Sequence, residues 1–135
     1  MRKLYCCLIF VLFTTTINLL PARATVLYQT AKANPEEERL LNKLFKLAEV
    51  KKLDLELKKY KANASLMTWS TPTAANPYYE VTAGYNGPQR YETRYTFRIK
   101  KSNVNKADIE PYIMVLDIVS GDYISLAKFR SSHRN

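Results

Sequence analysis

PYYEVTAGYNGPQRYETRYTFRIKK, residues 77–101, is the stretch from which the fold can be read. Tyr79, Val81, Ala83 and Tyr85 alternate with Tyr78, Glu80, Thr82 and Gly84. The alternation resumes with Tyr91, Thr93, Tyr95, Phe97 and Ile99 against Glu92, Arg94, Thr96, Arg98 and Lys100. Period two with aromatic and β-branched residues marks two half-buried antiparallel strands, and Asn86-Gly87-Pro88-Gln89-Arg90 supplies the turn. The larger apolar residues of both strands carry odd numbers, so one shared face requires odd residues to pair with odd. A two-residue Asn-Gly turn pairs odd with even and sends one apolar set to solvent. The expectation is therefore a three- or five-residue loop. With five residues, Ala83 faces Thr93, Val81 faces Tyr95 and Tyr79 faces Phe97. The other face then gathers Tyr78, Arg94, Arg98 and Lys100 around Glu80, a solvated basic surface.

Upstream, Asn34-Pro35-Glu36-Glu37-Glu38 is a helix start. Asn34 caps, Pro35 takes the first position, and the acids meet the positive end of the helix dipole. Leu40, Leu44 and Leu47 share one face, whereas Val50, Leu53, Leu57 and Tyr60 share another, turned by roughly 120° at helical spacing. One straight helix cannot bury both stripes against one sheet. The pattern predicts a break near 48–51, with segments 35–48 and 50–61.

Residues 64–70 read as a first strand containing the sole tryptophan, Trp69, which is assigned to the core or, alternatively, to an exposed recognition role. Residues 71–77 form a loop into the hairpin. Residues 102–111 read as an exposed polar connection, with 103–106 a plausible insertion. The run 112–119, apolar apart from Asp117, reads as a central strand covered on both faces. Ser120-Gly121 turns it into a last strand, and Ser125 caps a short turn, 126–129, before a frayed tail, 131–135. Helices first and about five hairpin-connected strands after them give one α+β domain, 35–130, with the broken N-terminal helix packed on a mostly antiparallel sheet.

Residues 1–24 read as a secretory signal peptide: Arg2 and Lys3, an apolar run over 4–13, and an A-x-A pattern ending at Ala24. The run is about half the length a spanning helix needs, so no membrane span is expected after cleavage. Residues 25–34 read as a flexible leader. Both cysteines, Cys6 and Cys7, fall in the signal, so the mature chain enters an oxidising compartment without a disulfide. That pattern suits a bacterial periplasm or cell surface. Without Arg2, Lys3 and Arg23, the 21 basic residues become 18 against 12 acidic, a net charge of +6. Export argues against nucleic acid as the partner of this basic domain and favours a protein or anionic surface material.

The catalytic inventory is thin. The one histidine, His133, lies in the expected tail, and no hydrolase, zinc-protease or phosphate-loop motif occurs. No catalytic residue, metal ligand or cofactor is assigned. Glu80 with Glu92, and Asp117 with Asp122, are the carboxylate pairs to weigh, and salt bridges to neighbouring arginines are the expected explanation of both. Tyrosine is abundant, at ten residues, and Tyr with Arg on a rigid sheet makes a recognition surface. The candidate binding residues are Tyr78, Arg94, Arg98, Lys100 and Trp69, with the loop 71–77 as the alternative surface.

The leading helix, the Y-Y-E-V…R-Y-E-T-R-Y-T-F-R-I hairpin and the closing I-M-V-L-D-I-V-S-G-D-Y-I-S-L together resemble small exported domains of the cystatin-like and PepSY-like kind, in which strand–D-x-x-(S/T)-G–strand units pack beneath a helix. Asp117-Ile118-Val119-Ser120-Gly121 is the matching piece. The resemblance implies restraint or escort of a peptidase. The cystatin Q-x-V-x-G loop is absent, so no inhibitory residue carries over. The sequence therefore leads to the expectation of an exported, non-catalytic binding module that restrains or escorts an envelope protein. A binder of anionic glycan or lipid is the alternative, and a small carboxylate enzyme a third reading.

Overall fold

Asn34 opens the first helix as its sequence requires, its Oδ1 accepting the N–H of Glu36 at 3.1 Å. The computed structural model describes residues 34–133, all within the compact unit Ala31–Asn135. The expected signal peptide, 1–24, and all of the expected leader except Asn34 lie outside the described residues. Helix α1 spans Pro35–Leu44 and α2 spans Ala48–Lys58. The break falls at 45–47, earlier than the spacing predicts. Leu47 is the reason. It leaves the helix in an extended conformation (φ −59°, ψ 143°), which carries its side chain into the core at 2% exposure. Leu40, Leu44, Leu47 and Val50 then bury together. Rotation of α2 sends Leu53 and Leu57 to a second cluster with Ala64, Tyr85 and Tyr95. The split serves Leu53 and Leu57 of the second stripe, whereas Val50 joins the first cluster and Tyr60, beyond the end of α2, is 82% exposed. Asp54 Oδ1 accepts the N–H of Ala64 at 3.1 Å and ties α2 to the sheet.

The sheet is an antiparallel meander in the order β1 (Ser65–Ser70), β2 (Tyr78–Asn86), β3 (Tyr91–Lys100), β4 (Met114–Leu116) and β5 (Tyr123–Ser125). With the helices ahead of it, this is an α+β fold. Its inner face buries Tyr79, Val81, Ala83, Phe97, Ile99 and Val115 beneath α1, the start of α2, and Leu126 of helix α3 (Leu126–Ser132).

Odd residues do pair with odd under the helices: Tyr79 faces Ile99, Val81 faces Phe97 and Ala83 faces Tyr95. The loop, however, is even. Asn86 pairs with Tyr91, leaving 87–90 closed by Gly87 N–H to the Arg90 carbonyl at 2.8 Å. A β-bulge restores the parity. Between Ala83 and Gly84 the register shifts from Tyr95 to Thr93, so Arg94 is the extra residue. A Cβ on Gly84 would lie 2.0 Å from the Glu92 carbonyl oxygen, so the shift demands a glycine. Beyond the bulge Tyr91 leaves the inner face, and its hydroxyl donates to the carbonyls of Ser65 (2.9 Å) and Thr82 (3.3 Å).

Three further expectations change. The connection after β3 is part of the core, because Val104 and Ile109 are 0% and 4% exposed, and Lys43 Nζ donates to the carbonyls of Val104 and Lys106. An insertion at 103–106 would disrupt it. The run 112–119 yields only the short β4, and Ile118 and Val119 belong to the following turn. Helix α3 continues to Ser132, held by Arg130.

Two predictions follow from this packing. Gly84→Ala loses about 3 kcal/mol in urea unfolding, because the methyl meets backbone. Gly121→Ala, at φ +74° in open space, loses about 1 kcal/mol. Equal losses would sink the bulge argument. Second, burial, and then the hydrogen bond it donates to Glu36 at 3.0 Å, push the Tyr79 hydroxyl from 10.0 up to about 12. The folded state holds this proton more tightly, so its contribution to stability is complete below pH 10 and disappears as pH rises through about 12. Tyr79→Phe should therefore flatten the fall in stability across that window; identical alkaline profiles would contradict it.

Candidate functional site

The bulge that aligns the core also splits the expected basic face. Arg98 stays on the outer face and is fully engaged there. Its Nε donates to Glu80 Oε1 at 3.0 Å with a second contact from Nη2, and its guanidinium lies 3.8 Å from the Tyr123 ring centre and 5.4 Å from that of Tyr78. Lys100 stands opposite Tyr78 on the same face. Trp69, 72% exposed, sits at an irregularity in the edge strand β1 rather than in the core. Arg94 does not join them. As the bulged residue it lies beside α2, lining two hollows on the helix side. Three of the four carboxylates weighed have partners: Glu80 pairs with Arg98, Glu92 with Arg90, and Asp117 accepts from its own turn. Among the described residues no three His, Cys, Asp or Glu side chains group as a metal site.

The larger hollow is a cleft of about 760 Å³ between α2, the β3 bulge, the β4–β5 turn and α3. Its floor is built by one ion-pair network. Arg130 of α3 forms a fork with Glu49 of α2, Nε to Oε1 at 2.7 Å and Nη2 to Oε2 at 3.1 Å, and its Nη1 reaches Glu110 Oε2 at 2.6 Å. A planar guanidinium suits such a fork, and it locks α3 to α2 and to the turn before β4. Hydrogen bonds to Glu49 and Glu110 hold the Arg130 pKa above its ordinary value. Burial opposes ionisation of Glu49, but the Arg130 hydrogen bonds and charge outweigh it and keep the carboxyl below the usual range. An aromatic series runs out from the core to the same place. Phe97 stacks on Tyr95 (5.9 Å), Phe129 meets Tyr95 edge-on (6.1 Å), and His133 stacks on Phe129 (4.3 Å). Burial, then the charges of Glu49 and Glu56, raise the Tyr95 hydroxyl pKa, so the phenol stays neutral.

The lip is the least ordinary part. Ile118 and Val119, 84% and 95% exposed, form the tip of the β4–β5 turn. Turn tips normally carry Gly, Asn, Asp or Ser, and adjacent exposed β-branched side chains form an apolar point. The turn is also well braced. Asp117 accepts from Val119 N–H (3.0 Å) and Ser120 Oγ–H (3.2 Å), and Asp117 N–H donates to the Asp122 carbonyl at 2.8 Å. Gly121 supplies the left-handed residue that closes it. The result is a pre-organised apolar tip beside a cleft.

Sequence reasoning missed both features. The continuous apolarity of 112–119 suggested a buried strand; the available signal was Asp117-x-x-Ser-Gly, a turn signature placed after only three strand residues. The Arg130–Glu49 clamp, 81 residues apart, leaves no local trace.

If the clamp holds the cleft floor, Glu49→Gln weakens folding by about 1 kcal/mol at neutral pH. A lowered carboxyl pKa stabilises the fold above its ordinary 4.5 and ceases to do so as pH falls through the lower, folded value. The gap between wild type and variant should therefore close in acid. A gap that stays constant down to acid unfolding would dismiss the clamp as a stabilising ion pair.

Comparison with protein-family models, with curated proteins and with solved structures returns no match for this chain.

Proposed function

We propose that this chain is an exported, non-catalytic binding module that grips a protein partner of the cell envelope or extracellular space, in the manner its resemblance to cystatin-like and PepSY-like domains implies. The observation that carries the reading is the rigid Ile118–Val119 tip at the mouth of the cleft. Exposing two aliphatic side chains on a braced turn brings nothing to folding, yet burial in a complex is worth about 1.5–3 kcal/mol for each fully covered side chain. A pre-organised loop also loses little entropy on binding. The cleft volume falls in the range of about 300–1,000 Å³ typical of ligand sites. The outer face, where Tyr78, Arg98 and Lys100 lie, takes second place, because Arg98 is already paired with Glu80 and stacked on Tyr123. No helix among the described residues is long and apolar enough to cross a membrane.

The test uses purified protein incubated with the envelope fraction of its own cells, beside the Ile118→Ser/Val119→Ser double variant. A stoichiometric protein partner whose affinity drops at least about thirtyfold in the variant is expected. Both side chains are exposed, so melting temperature should hold. Retention on membrane or glycan material that fades with salt and ignores the tip would instead favour the anionic-surface reading.

A further inference from the structure

The lining of the cleft combines two kinds of surface, and the combination specifies its occupant. Lys52 of α2 and Arg94 of the bulge both line it, and both are exposed. Neither has a carboxylate within ion-pair distance among the described residues. The same lining includes Leu116, Ile118, Val119 and Phe129. The remaining charges are engaged internally: Glu49 with Arg130, and both Asp117 oxygens with donors of their own turn. The cleft therefore offers unpaired positive charge beside apolar surface. A matching ligand carries a carboxylate next to an aliphatic or aromatic group. A small amphipathic anion would satisfy the interior but leave the tip in water. A polypeptide running over the lip covers both.

We infer that the cleft takes an acidic segment of a partner chain, seating an Asp or Glu carboxylate against Lys52 and Arg94 and a neighbouring Leu, Ile or Phe side chain against Phe129 and Ile118. This rests on the proposed function and adds the chemistry of the ligand. Arg94 thereby keeps a binding role on the side of the sheet opposite to the one its position in the strand alternation suggests.

The experiment selects short random peptides displayed on phage against the purified protein, then measures synthetic versions of the enriched sequences on three proteins: wild type, Lys52→Gln/Arg94→Gln, and Ile118→Ser/Val119→Ser. The expected result is enrichment of Asp or Glu beside Leu, Ile or Phe. Affinity should fall about tenfold or more when the carboxylates become amides or when Lys52 and Arg94 are replaced, and it should weaken as salt is raised. Peptides that depend on Ile118 and Val119 but not on Lys52, Arg94 or their own carboxylates would overturn the acidic assignment and leave the binding module standing. Peptides indifferent to both pairs of substitutions would remove both. Saturable binding of decanoate at these residues, with no peptide enriched, would overturn the assignment in favour of a small-anion site.

Discussion

The close approach of the Glu92 carbonyl to Gly84 is the constraint on which the rest of this structure depends. With 2.0 Å between that oxygen and the place a Cβ would occupy, glycine is what allows the two long strands to change register. The change reconciles an even loop with an apolar pattern that requires odd residues to pair. On the core side of the bulge, Tyr79, Val81 and Ala83 meet Ile99, Phe97 and Tyr95. On the turn side Tyr91 is released to bridge β1 and β2 through its hydroxyl. A bulge also re-aims the extra residue, and here that residue is Arg94. One backbone contact thus determines both the packing of the inner face and one of the charges that line the cleft.

The helices solve a second geometric conflict. Two apolar stripes out of phase cannot lie on one sheet from a single straight helix, and the chain resolves this by leaving helical geometry at 45–47. Leu47, extended and buried, marks the corner. The corner leaves α2 over the end of the sheet, where Leu53 and Leu57 reach Tyr85 and Tyr95. Glu49 is then within reach of α3, and Arg130 closes the arrangement by gripping Glu49 and Glu110 together. Arg130 lies on α3, so the last helix of the described residues completes the cleft. Cleft and core are therefore coupled through Tyr95 and Phe129, which belong to both.

Functional readings differ in what they ask of the charges. Net positive charge alone suggests an anionic surface, but the most conspicuous arginine, Arg98, is neutralised by Glu80 and sandwiched with tyrosines. It serves the outer face as a structural tie. The uncompensated cations Lys52 and Arg94 lie beside apolar surface, a combination suited to a specific chain segment rather than to a diffuse polyanion. The exposed Ile118–Val119 tip points the same way, since a polyanion has no use for it.

The sequence by itself determined the α+β class, the five strands, the hairpin with odd residues inward up to the bulge, the capped first helix and the need for a break in the helical region. Each of these follows from local periodicity or from the dihedral preferences of single residues such as Asn34, Pro35 and Gly121. Tertiary structure decided the rest. The bulge at Arg94 depends on a backbone contact across strands, so alternation alone placed Arg94 on the wrong side. Val104 and Ile109 pack into a core made by distant elements, and Lys43 holds the Val104 carbonyl from 61 residues away, so a polar stretch passed for an exposed one. The apolar run through Val119 has the composition of a covered strand, and only its place beyond β4 shows that its last two side chains face water. The cleft arises where helix, bulge, turn and terminal helix meet, and local periodicity carries no record of contacts between residues so far apart in the chain.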